Sequence, residues 1–137
     1  MGSFSIWHWL IVFGLALIIV PSVFYLIALQ KALEAIDPAM RPVTPGLVWL
    51  QLIPIFNLVW LFILVNHLKK GYAKMSAAGR LRSETTAGFG VGIAMACLSV
   101  ACAIPGVATV AVIPAMVCWV LHWIQVNEAR KLVIPAS

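Results

Sequence analysis

Long apolar runs dominate this chain, and short segments between them hold its charge. The longest run covers residues 85–127, which contain no Asp, Glu, Lys or Arg. Pro105-Gly106 divides it into two halves of about 20 residues. At about 1.5 Å of helical rise per residue, each half spans a hydrocarbon core about 30 Å thick. Residues 1–30 and 42–68 are also free of formal charge. The pattern predicts one all-α domain over residues 1–137, an integral membrane protein with four transmembrane helices. The expected spans are about 4–29, 46–66, 86–104 and 107–127.

Prolines and small residues modulate this picture. Pro21 lies inside the first span, where a missing hydrogen bond bends a helix. Gln30 to Thr44 reads as a loop that holds Pro38 and Pro42 and is followed by Pro45, although Gln30 to Ile36 can extend the first helix beyond the lipid. The second span holds Leu52-Ile53-Pro54-Ile55-Phe56-Asn57. A bend is expected near Pro54, with the Asn57 amide bonded to backbone or to a neighbouring helix. The loop from His67 to Thr85 begins as a continuation of the second helix, ending near Gly79. Gly88, Gly92 and Ala96 recur at i, i+4 and i+8 on one face, the small-residue pattern that lets helices approach closely.

Composition supports the membrane reading. Hydrophobic residues make up 64% of the chain and charged residues 9%, against about 25% charged in soluble domains. The net charge of +5 does not point to nucleic acid, because the basic residues sit between the spans. Lys69, Lys70, Lys74, Arg80 and Arg82 are placed to meet anionic lipid headgroups. With four spans, the N-terminus, the second loop and the C-terminal tail share a side. They carry seven Lys and Arg, against Lys31 and Arg41 opposite. The asymmetry places both termini in the cytoplasm. The N-terminus lacks a basic region and a cleavage site, so the first apolar run is read as a retained helix. Cys97, Cys102 and Cys118 fall within spans and act as small apolar residues.

The sequence holds little that resembles catalytic machinery. Glu34, Asp37, Glu84 and Glu128 all lie in loops or at span ends. No carboxylate pair, phosphate-cradling loop or nucleophile elbow is present. Three histidines form the only candidate cofactor set: His8 at the start of span one, His67 at the end of span two and His122 near the end of span four. Four-span topology puts all three near the cytoplasmic face, where imidazoles from several helices can ligate haem or a metal. The plainer reading makes them interfacial neighbours of Trp7, Trp9, Trp119 and Trp123 in an aromatic belt. Asn57, the other candidate, either satisfies a bent helix or contacts a substrate at mid-membrane depth. No cofactor is required, with haem or quinone as the alternative.

Two stretches resemble known families. Met1-Gly2-Ser3-Phe4-Ser5-Ile6-Trp7-His8-Trp9-Leu10-Ile11-Val12 looks like the start of the A-type subunit of the bacterial twin-arginine translocase. That resemblance implies a bacterial inner membrane and an N-terminus outside the cytoplasm, opposite to the charge count. In that family a Phe-Gly hinge follows the span. Here Phe13-Gly14 lies inside the apolar run, and the transport function is not carried over. Residues from about Pro45 onward are similar to a diffuse group of uncharacterised bacterial multi-pass membrane proteins. The similarity rests on Trp49-Leu50-Gln51-Leu52-Ile53-Pro54-Ile55-Phe56-Asn57-Leu58-Val59-Trp60 and on the late hairpin with Trp119 and Trp123, and it implies no activity.

The expected function is therefore non-enzymatic: an accessory or assembly subunit packing beside a larger membrane complex, compatible with a respiratory or photosynthetic host. Two alternatives stay open. One is a haem- or quinone-binding electron carrier using the histidines. The other is a small-solute transporter built around Asn57 and the proline-bent helices.

Overall fold

The computed structural model describes residues 5–135. Four α-helices account for most of them: α1 (Ile6–Glu34), α2 (Pro54–Ala77), α3 (Phe89–Cys102) and α4 (Ala108–Lys131). A 3-10 helix, Pro45–Leu52, precedes α2. α1 and α4 are long and apolar enough to cross a membrane by length and composition. α3 is apolar but shorter. By length and composition together, the described residues hold two helices able to cross a membrane, against the four expected.

α1 begins with the Ser5 side chain accepting a hydrogen bond from the Trp7 amide, a serine cap of the usual kind. It runs unbroken through Phe13-Gly14 and past Pro21. Its end is secured by Arg41. The Arg41 Nε donates to the Leu33 carbonyl at 2.9 Å, and Nη2 donates to the Glu34 and Ile36 carbonyls at 3.0 and 2.9 Å. A helix leaves its last carbonyls without partners, and a guanidinium fork satisfies several at once.

The expected second span, 46–66, is not one helix. Pro54 has no amide hydrogen and biases the residue before it toward extended backbone. Ile53 accordingly sits at φ −81°, ψ 112°. Pro54 then occupies the first turn of α2, where its missing donor costs nothing. The chain reverses here. On the way in, Trp49 Nε1 donates to Gln30 Oε1 at 2.8 Å, and Gln51 reaches the level of Ser22 and Tyr25. On the way out, Asn57 and Leu61 share a cavity wall with Tyr25 and Leu26. Further along, Tyr72 Oη donates to the Ala32 carbonyl at 3.2 Å. α2 therefore runs parallel to α1, and the 3-10 helix is the antiparallel return between them. The expected bend inside a single second helix is replaced by a turn at its start.

This arrangement corrects the expected placement of the loops. The loops read at 30–44 and 67–85 are expected on opposite sides, yet Arg80 pairs with Asp37 at 3.2 Å. The C-terminal tail joins them, through an isolated antiparallel bridge between Leu81 and Val133. α3 and α4 form an antiparallel hairpin whose tip, residues 103–107, points away from this end. All nine Lys and Arg and all four Asp and Glu lie on the same side of the Tyr25–His122 level as that bridge. The molecule thus has one charged, basic end and one uncharged end.

The core sits toward the basic end. Leu29, Leu33, Ile36, Leu64, Leu68, Tyr72, Met75 and Val126 are fully buried there. Ile6 to Val20 of α1, by contrast, are exposed all round. Gly71 permits the tightest approach at the basic end, since a Cβ there would lie 2.5 Å from Ile36 Cδ1.

Candidate functional site

Above the core the helices separate around a cavity of about 410 Å³. α1, the 3-10 helix and all three later helices line it. Three prolines mark its level: Pro21 in α1, Pro54 at the start of α2 and Pro114 inside α4. Pro21 and Pro114 each remove a backbone donor from an otherwise regular helix, and Pro54 starts one.

Five uncharged polar side chains face an otherwise apolar wall: Ser22, Tyr25, Gln51, Asn57 and Ser99. The two serine hydroxyls donate to their own helices, Ser22 to the Ile18 carbonyl at 2.7 Å and Ser99 to the Met95 carbonyl at 2.8 Å. The buried Tyr25 hydroxyl lies 2.8 Å from His122 Nδ1 and 4.0 Å from Met95 Sδ. Its ring is boxed by Trp119, His122 and Trp123, with centroids 5.6, 5.9 and 6.3 Å away. The Gln51 and Asn57 amides are less settled. Gln51 Oε1 and Asn57 Oδ1 are both buried with no hydrogen-bond donor. Asn57 was expected to bond backbone or a neighbouring helix, and its carbonyl oxygen does neither. Pro54 starts its helix, so no freed carbonyl lies a turn earlier for Asn57 to compensate.

The three histidines do not converge. His8 stands 17 residues before Tyr25 on one continuous helix, about 25 Å along the axis, whereas His122 touches Tyr25. The assumption of equal depth fails because α1 and α4 run in the same direction, so the start of one and the end of the other lie at opposite ends. Among the described residues no three His, Cys, Asp or Glu side chains form a group able to hold a metal. His67 lies on α2, where burial, then the Lys70 ammonium, lowers its basicity. His122 is fully buried, with Nε2 lacking a partner.

Gly88, Gly92 and Ala96 occupy the junction of α3 with its neighbours. Gly92 and Ala96 are buried within the helix, while Gly88 precedes it in a left-handed conformation, φ +75°. A Cβ on Gly92 would lie 2.7 Å from Val65 Cγ1 and 2.8 Å from His122 Nε2. The small face therefore meets α2 and α4 of the same chain. Of the basic residues, Lys69 sits over the Phe89 ring at 4.0 Å. Arg80 pairs with Asp37, and Lys70, Lys74 and Arg82 are exposed.

Sequence reading isolated Asn57 but not Ser22, Tyr25, Gln51 or Ser99. Each is a polar residue inside an apolar run, and that is the signal they share. No family model, curated protein or solved structure matches this chain.

Proposed function

We propose that this chain is an integral membrane protein that holds an uncharged small molecule in the cavity between its helices, as a binding protein or carrier without catalytic chemistry. The observation that carries the reading is the pair of buried amide oxygens, Gln51 Oε1 and Asn57 Oδ1, without donors on the wall of a cavity of about 410 Å³. A buried polar group without a partner costs about 1–3 kcal/mol. A bound molecule with hydrogen-bonding groups offsets that cost. Native mass spectrometry of protein released from mild detergent tests the reading. A discrete extra mass on the wild-type chain, lost in Gln51→Leu/Asn57→Leu, is the expected result. The same bare mass for both proteins would count against it.

One observation favours a second reading, the accessory subunit. Ile6 to Val20 of α1 are exposed, and a partner helix could pack along them. Co-purification of a stoichiometric membrane protein, lost when this half of α1 is replaced by a polyleucine helix, would support it.

The geometry also suggests how the chain sits in a bacterial inner membrane. α1 crosses once, and α3 and α4 form a second, hairpin insertion from the basic end. The 3-10 helix and the start of α2 enter from that same end and turn back at Ile53-Pro54. Ser22, level with this turn, lies nine residues from Lys31, about 13 Å along α1, or close to mid-bilayer depth. All nine basic residues then face one side, and the positive-inside rule makes that side cytoplasmic. The N-terminus is outside and the C-terminus inside, the orientation implied by the translocase-like first residues. Lys69, Lys70, Lys74 and Arg82 lie toward the anionic headgroups.

A further inference from the structure

The cavity is selective about what it can hold, and its hydrogen-bond inventory says how. This step rests on the ligand-binding reading above. Ser22 and Ser99 have already given their hydrogens to Ile18 and Met95 carbonyls. Their oxygens retain lone pairs and can only accept. The Tyr25 hydroxyl, when it donates to His122 Nδ1, likewise keeps only acceptor capacity. The Gln51 and Asn57 amides are different. A half-turn about the last side-chain bond exchanges oxygen and nitrogen, so each can present either a donor or an acceptor. The wall thus favours a ligand that donates a hydrogen bond and can also accept. Hydroxyl groups do both. A ketone or quinone oxygen only accepts, and would find donors in the amides alone.

Charge and rim narrow the class further. The wall holds no acidic or basic residue, and the charged side chains, nine basic and four acidic, lie toward the basic end. An ion placed here would have no counter-charge in an apolar setting. The outer rim is apolar and open: Leu52 is 58% exposed and Met116 57%. The turn from the 3-10 helix into α2 beside it is apolar too, with Ile53 and Ile55 exposed. A molecule seated among the polar groups would leave the rest of its body against these side chains, in hydrocarbon.

We infer that the cavity takes the hydroxyl-bearing head of an uncharged lipid, its apolar portion leaving past Leu52 and Met116 into the bilayer. The simplest probe is dioleoylglycerol, which carries one free hydroxyl and no charge. Full-length protein in phosphatidylcholine vesicles would be titrated with it, reading the tryptophan fluorescence to which Trp119 on the wall contributes. Saturable quenching or enhancement is expected. Capping the hydroxyl as its methyl ether should weaken binding about fivefold or more, the scale of one lost hydrogen bond. Asn57→Leu should do the same with unchanged helical circular dichroism. If that variant fails to fold, the methyl ether comparison still decides. Equal binding of alcohol and methyl ether would overturn the inference, as would an equal response to free glycerol at matched concentration. Response to decylubiquinone but not to dioleoylglycerol would overturn the hydroxyl class while leaving ligand binding standing. No response to any probe, together with a bare mass in native spectrometry, would remove both readings.

Discussion

The two ends of this molecule solve the same problem in opposite ways. At the basic end, side chains of α1, α2, α3 and α4 bury one another, and Leu29, Leu33, Leu64 and Leu68 have no contact with the surroundings. Backbone groups there are satisfied by specific side chains, such as Arg41 on the last carbonyls of α1. At the uncharged end the helices spread apart. Leu17 is 76% exposed, and Ile6 to Val20 of α1 are exposed throughout. Apolar residues at one end are covered by protein. At the other they call for lipid or a partner. The cavity lies where the first regime gives way to the second.

Cutting a large side chain at each end is the strongest way to test that contrast. Leu68→Ala leaves a void in a packed region and should cost about 2–5 kcal/mol, read as a drop in unfolding temperature in detergent. Leu17→Ala removes a side chain that meets only the surroundings and should leave that temperature nearly unchanged. Similar shifts for both would erase the distinction between the ends.

The junction of the regimes should be nearly as sensitive. Gly92→Ala would place a methyl group against Val65 and the His122 ring. Overpacking of this kind costs about 1–3 kcal/mol. Tyr25→Phe removes the hydroxyl beside His122 Nδ1 and leaves a buried nitrogen without its partner, again a cost of about 1–3 kcal/mol. Thermal unfolding of each variant checks the values, and an unchanged midpoint for Gly92→Ala would mean that α3 sits looser than its contacts indicate.

How much of this was legible in the sequence depends on the kind of information involved. The apolar runs located α1, α4 and the hairpin at Pro105-Gly106, because length and hydropathy report helices directly. The reversal at Ile53-Pro54 was hidden. An apolar stretch of about 20 residues is compatible with one crossing or with a turn halfway, and the hydropathy of residues 46–66 is the same either way. That single ambiguity then separated two loops that the fold brings to one end, and it is why the proposed orientation of the N-terminus differs from the one the charge count implies. It also set His8 level with His122. The cavity suffered for the same reason. Asn57 stood out as an amide near a proline, but Ser22, Tyr25, Gln51 and Ser99 come together only once α1 and α2 are known to run parallel.

The smallest effect is expected at the surface of the basic end. The Arg80–Asp37 pair ties the first and second loops together but remains partly exposed. Asp37→Asn should cost less than about 1 kcal/mol, and the difference from wild type should shrink as salt is added. A larger, salt-independent loss would show that the two loops depend on this pair more than its exposure suggests.

The parallel run of α1 and α2 is the claim on which the cavity, the orientation and the uneven charge all depend. Single cysteines at Ala39, Ser83 and Gly106, in a chain whose three native cysteines are replaced, test it through labelling by a membrane-impermeant thiol reagent in intact cells. If the 3-10 helix and α2 turn back within the membrane, Ala39 and Ser83 stay unlabelled until the cells are opened, while Gly106 reacts from outside. Labelling of Ala39 together with Gly106 in intact cells would mean that residues 46–66 cross the bilayer, and would contradict the account.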